Sequence, residues 1–143
     1  MTQEEKNLLL KDLCPRLPYN IRLYTNFSTD NWAVLTPVVI SNLMCATDDM
    51  VIKPYLRPMS SMTEEELDDL KRYVGLVYGH PNDLDLSKWD NGHTVLEFWL
   101  EEVPHYVVVE VFDWLNVHHF DYRGLIEKDL ALEAPEGIYS SKH

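Results

Sequence analysis

The run His118-His119-Phe120-Asp121 gathers two imidazoles and a carboxylate within four residues. These are the residue types of transition-metal ligands and of acid–base pairs. The spacing serves neither well. Adjacent side chains on a helix point about 100° apart, so both imidazoles do not readily reach one ion from regular helix. His118 and Asp121 can share a face, but two ligands fall one short of a catalytic zinc site. The competing role is structural, because imidazoles at a helix C-terminus interact well with its free carbonyls. Asp121 and Arg123 are then placed to pair across the following turn. The helix-end role is the expected one. The alternative is a small metal-dependent hydrolase built on His118, His119 and Asp121 with carboxylates from elsewhere.

A second candidate is the group Tyr55, Arg57, Ser60 and Ser61, just ahead of a predicted helix N-terminus, where backbone N–H groups can cradle an anion. Glu64, Glu65 and Glu66 oppose an anionic ligand there, and the glycines of a phosphate loop are missing, so a proline-framed connector is expected. The two cysteines, Cys14 and Cys45, have no histidine nearby in sequence, and Cys14 adjoins the leucines of its helix. Both are predicted to be buried, inert thiols. No nucleophile elbow, zinc-protease motif, dinucleotide fingerprint or P-loop is present. No catalytic residue, metal or cofactor is therefore assigned, and the binding candidates are His118, His119, Asp121, Arg123, Tyr55 and Arg57.

The elements that must position these residues are legible from periodicity. Thr2 and Glu5 form a capping box ahead of Leu9, Leu10, Leu13 and Leu17, which predicts a helix over residues 3–14 stopped by Pro15 and Pro18. Ile21–Thr25 and Trp32–Thr36 alternate as a hairpin would. Val38-Val39-Ile40 and Met50-Val51-Ile52 read as further strands. Lys53–Pro58 cannot be helical, and its prolines predict an extended segment leaving the sheet. Thr63 and Glu66 form a second capping box before an apolar stripe that runs to Gly79. Asp90-Asn91-Gly92 signals a hairpin turn between Leu84–Trp89 and Thr94–Leu100. In residues 105–117 the valines favour strand, but Glu110, Asp113 and Asn116 recur every three residues, which predicts a largely buried helix. A helical turn near Gly124–Asp129 and an extended tail follow. This order is α+β: a small, mostly antiparallel sheet with about three helices packed on one face, in a single domain over residues 1–143.

Charge bears on partners. The 143-residue chain has a net charge of −12. Residues 1–60 are neutral, with six basic and six acidic residues, whereas residues 61–143 carry six basic and eighteen acidic ones. A polyanion is bound mainly by neutralising its phosphates, so no direct nucleic-acid binding is expected. An acidic surface suits a basic protein partner instead. No apolar run approaches the ~20 residues of a membrane span. The opening MTQEEKNLLLKDLC lacks a signal peptide's basic and long apolar regions. No membrane association is expected.

Several stretches carry a resemblance. Leu8–Cys14, Lys53–Glu66, Asp113–Lys128 and Leu130–Tyr139 are similar to a family of short proteins encoded by gut anaerobic bacteria and by their phages and mobile elements. That family has no established activity, so the resemblance transfers no catalytic residue. It implies a phage or prophage accessory protein made in the cytoplasm of a bacterial host. Residues 82–102 and the middle of the first sheet lie outside the resemblance. The leading expectation is a non-enzymatic protein that binds a host or phage protein through its acidic C-terminal half. The metal-dependent hydrolase and a self-assembling structural component stay open beside it.

Overall fold

The computed structural model describes residues 1–27, 29–47, 49–78 and 105–139, with side chains at all of these except 71, 74–78 and 105–108. In chain order the elements are α1 (Gln3–Leu13), β1 (Arg22–Thr25), β2 (Trp32–Val34), α2 (Pro37–Met44), β3 (Ile52–Pro58), α3 (Glu64–Tyr78), α4 (His105–Val117), β4 (Phe120–Asp121) and β5 (Leu132–Glu133). The fold is α+β, with four α-helices among the described residues and a mixed sheet that does not close. The chain divides into two units, Met1–Arg57 with Gly124–His143, and Pro58–Arg123. The predicted hairpin at 84–100 lies outside the described residues.

In the first unit, Thr2 and Glu5 start α1 reciprocally. The Glu5 N–H donates to Thr2 Oγ1 at 3.1 Å, and the Thr2 N–H donates to Glu5 Oε1 at 2.8 Å. The bond from the Thr2 N–H, with help from the Thr2 side chain, holds the Glu5 carboxyl below its usual pKa. Leu9 and Leu13 are fully buried, as their helical spacing predicts. A 3₁₀ turn, Cys14–Tyr19, follows and ends at Asn20 in the left-handed region. Within it Arg16 folds back on Asp12, with Nε to Oδ2 at 3.1 Å and Nη2 to Oδ1 at 3.2 Å, and neither side chain is exposed. Both cysteines are exposed, contrary to expectation. Cys14 begins the 3₁₀ turn and Cys45 caps the end of α2, so each sits where a helix stops.

The sheet of this unit has the order β2-β1-β3, both pairings antiparallel, and β5 adds to β3 in parallel. Its inward residues Leu23, Ile52 and Leu56 form one core with Leu9 and Leu13 of α1, Leu43 of α2, and Leu125, Leu130 and Ala131. Lys6 Nζ donates to the Ala46 carbonyl at 3.2 Å and ties the start of α1 to the end of α2.

Two expectations fail here for physical reasons. Val38-Val39-Ile40 is not a strand but part of α2. Thr36 Oγ1 accepts from the Val39 N–H at 3.3 Å and Pro37 occupies the first helical turn, and this start signal outweighs β-branched propensity. Lys53–Pro58 is extended as predicted, yet it does not leave the sheet. It forms the middle strand, paired with β1 on one side and β5 on the other. The Asn26 N–H donates to the Val51 carbonyl, which sets the hydrogen-bonding pairs of the β1–β3 ladder at Tyr24↔Lys53 and its alternates. Pro54 opposite Leu23 falls between them, so its missing N–H costs that ladder nothing.

In the second unit, Thr63 and Glu66 form the predicted box at the start of α3. The Thr63 N–H donates to Glu66 Oε1 at 3.0 Å, and the Glu66 N–H to Thr63 Oγ1 at 3.2 Å. Residues 105–117 are helical. The regular polar positions Glu110, Asp113 and Asn116 therefore report the period better than the valines do. α3 and α4 pack on each other. Their core holds Met59, Leu70, Val111, Trp114, Leu115, Phe120 and Tyr122. No helix among the described residues is long and apolar enough to cross a membrane.

Candidate functional site

α4 ends where the histidine pair begins. Val117 closes the helix, and the His118 N–H still donates to the Trp114 carbonyl at 3.2 Å. His118 Nδ1 lies 2.9 Å from that same carbonyl oxygen. Because a carbonyl only accepts, Nδ1 carries the proton, and Nε2 is the basic nitrogen of the neutral ring. The imidazole stacks on the Trp114 indole with centroids 4.0 Å apart. His119 then takes φ +65°, the left-handed conformation that ends many helices. Among the described residues, no group of three or more His, Cys, Asp or Glu side chains is arranged to hold a metal ion. The geometry of His118 matches the helix-end role.

Trp114 organises this region. Its Nε1–H donates to Asp69 Oδ2 of α3 at 3.0 Å, and its ring lies parallel to Phe120 with centroids 6.0 Å apart. The Tyr73 hydroxyl donates to Glu110 Oε2, a second polar link between α3 and α4. Asp121 is buried in β4. Next to it, the Tyr122 hydroxyl donates to Asn116 Oδ1 at 2.8 Å, and the Arg123 guanidinium lies over the Tyr122 ring at 5.3 Å. His118, His119, Asp121 and Arg123 thus belong to one helix end and the strand and turn after it.

Five acidic residues of this unit line its exposed helix surfaces. Glu64, Glu65, Asp68 and Asp69 on α3 and Asp113 on α4 are all exposed. Arg72 stands against them, with Nη1 3.6 Å from Asp69 Oδ1. Pro58–Arg123 holds fourteen acidic and four basic residues, a net charge of −10, against −2 for the other unit.

Tyr55 and Arg57 lie on β3 in the first unit, at alternate positions that are partly exposed, between the buried Pro54 and Leu56. The antiparallel register aligns them with Arg22 and Tyr24 of β1 and Trp32 and Val34 of β2 on the outward side of the sheet. Sequence reasoning named Tyr55 and Arg57 but missed the face they join. The signal was present as the alternation Arg22-Leu23-Tyr24-Thr25 and Lys53-Pro54-Tyr55-Leu56-Arg57, in which every outward residue is cationic or aromatic.

Comparison of the chain with protein-family models, curated proteins and solved structures returned no match.

Proposed function

We propose that this chain is a non-enzymatic binding protein that engages a basic host or phage protein through its acidic second unit. It acts in the bacterial cytoplasm as a phage or prophage accessory protein, as the sequence resemblance implies. The observation that carries the reading is the partition of charge. Ten of the twelve net negative charges fall in Pro58–Arg123, and four carboxylates crowd the first two turns of α3 on its exposed side. A surface of one sign raises the on-rate and selects partners of the opposite sign. It also repels phosphate, so this unit leaves nucleic acid to its partner.

The test is a pull-down from host lysate with the full chain, repeated with Glu64→Gln, Glu65→Gln and Asp68→Asn combined. All three positions are exposed, and none belongs to the Thr63–Glu66 box. A basic protein captured at low salt, lost at high salt and lost with the triple variant is the expected result. A partner indifferent to both changes would sink the proposal.

A further inference from the structure

The outward face of the first unit's sheet differs in kind from the rest of this acidic chain. Seven residues of β1, β2 and β3 point to it: Arg22 and Tyr24, Trp32 and Val34, and Lys53, Tyr55 and Arg57. Three are cations, three are aromatic, and none is a carboxylate, although the chain has twice as many acidic as basic residues. The inward residues Leu23, Thr25, Ile52, Pro54 and Leu56 are all buried, so the alternation separates a packed face from an accessible one. Trp32 is 47% exposed even with the Arg22 guanidinium over its ring at 5.4 Å.

We propose that this sheet face binds single-stranded nucleic acid. Unpaired bases stack on aromatic rings whatever their sequence, and cations interleaved with those rings neutralise the phosphates between them. An antiparallel sheet is well suited to this, because rings on neighbouring strands stand roughly one strand spacing apart, about 4.8 Å, and present a continuous platform. Tyr24 lies directly opposite Trp32 on one side and Lys53 on the other. Arg22 is the register neighbour of Tyr55 across β1 and β3. A base on the Tyr24–Trp32 pair therefore places its phosphates near Arg22 and Lys53. The contact already made by Lys53 Nζ to Asp129 Oδ1, at 2.9 Å, is no barrier. Asp129 is 86% exposed, and exposed ion pairs are worth little. Duplex DNA hides the base faces that the rings would use. Net charge argues against nucleic acid for the chain as a sum, but the sum is dominated by the second unit, and the first unit is at −2.

The test uses the full chain and a fluorescein-labelled oligothymidylate of about ten nucleotides, a length within the usual single-strand site sizes. Anisotropy at low salt should show saturable binding, with quenching of tryptophan emission. With Arg22 and Lys53 near the phosphates, log affinity should fall with log salt at a slope of about −1.4, and Arg22→Gln should reduce that slope by about 0.7. Trp32→Ala should weaken binding about 5- to 150-fold, the range for one lost base stack, and Trp32→Phe should recover most of it. Trp32 and Arg22 are exposed, and melting curves matching the parent will show that these variants fold. Absence of binding at low salt overturns the proposal. So does binding that a duplex equals and Trp32→Ala leaves unchanged. Displacement of the oligonucleotide by polyglutamate as readily as by unlabelled oligothymidylate assigns the face to an acidic protein instead. A dimer in sedimentation equilibrium that Trp32→Ala dissolves assigns it to a second copy.

Discussion

The Tyr139 hydroxyl donates to the Tyr55 carbonyl at 2.7 Å and accepts from the Arg22 N–H at 2.8 Å. Arg22 and Tyr55 follow Leu23↔Pro54 in the β1–β3 register. A side chain near the C-terminus therefore stands where the next ladder bond of the sheet would form. The other end of the ladder is extended similarly. Asn26 Oδ1 accepts from the Val51 N–H at 2.8 Å, and its Nδ2 donates to the Asp49 carbonyl at 2.7 Å. Between them these side chains close both ends of a short strand pair, and Tyr139 also packs against the core of its unit.

Removing that hydroxyl has a defined cost. Tyr139→Phe should destabilise the protein by about 1–3 kcal/mol, since two strand groups lose their partner. Chemical denaturation should show a lower midpoint with an unchanged m-value.

The same residue sets an alkaline limit. Burial pushes the Tyr139 pKa up from 10.0 to about 12, against the opposing effects of the Arg22 backbone bond and the Arg16 charge. The folded pKa lies above the unfolded one, so the contribution is complete below pH 10 and is lost as pH rises towards 12. Melting temperature should fall across that window in the parent and fall less steeply in Tyr139→Phe. Parallel profiles for the two proteins would refute the assignment.

The Asp12–Arg16 pair is fully buried, so removing one partner strands the other charge. Arg16→Met alone should cost about 3–5 kcal/mol, whereas Asp12→Leu combined with Arg16→Met should recover much of the loss. Urea unfolding of the single and double variants measures the difference. Equal losses in both would show that the pair itself contributes the stability.

Gly124 has φ +72°, and a Cβ built there meets nothing within 4 Å. The penalty for a side chain is thus conformational rather than steric. Gly124→Ala should cost about 1–2 kcal/mol, and Gly124→Val more, because its branched Cβ restricts the backbone further. Thermal melts at or above the parent temperature for either variant would contradict this.

At the end of α4, His118 directs Nδ1 to a carbonyl, and no group of three or more metal-ligating side chains is assembled among the described residues. Protein purified without chelator should contain no stoichiometric zinc. Elemental analysis finding about one zinc per chain, lost on mutation of His118 or His119, would reverse the reading.

What the sequence by itself determined lies within a few residues of where it is written. The capping boxes at Thr2 and Thr63 are contacts between residues three apart. The helix over residues 105–117 shows in the recurrence of Glu110, Asp113 and Asn116. The histidine pair at a helix end follows from the same local chemistry. Val38–Ile40 misleads because propensity and capping disagree there, and the cap at Thr36 prevails. Register is the information that local patterns lack. Arg22, Trp32 and Lys53 meet because β1 pairs with both β2 and β3, and Tyr139 finds Tyr55 only after the tail has added β5 to the same sheet. The sequence already places the acidic excess after residue 60. Tertiary structure alone arranged three cations among three rings on the sheet of the first unit, because strand pairing joins residues distant in the chain while the helices bury the opposite face.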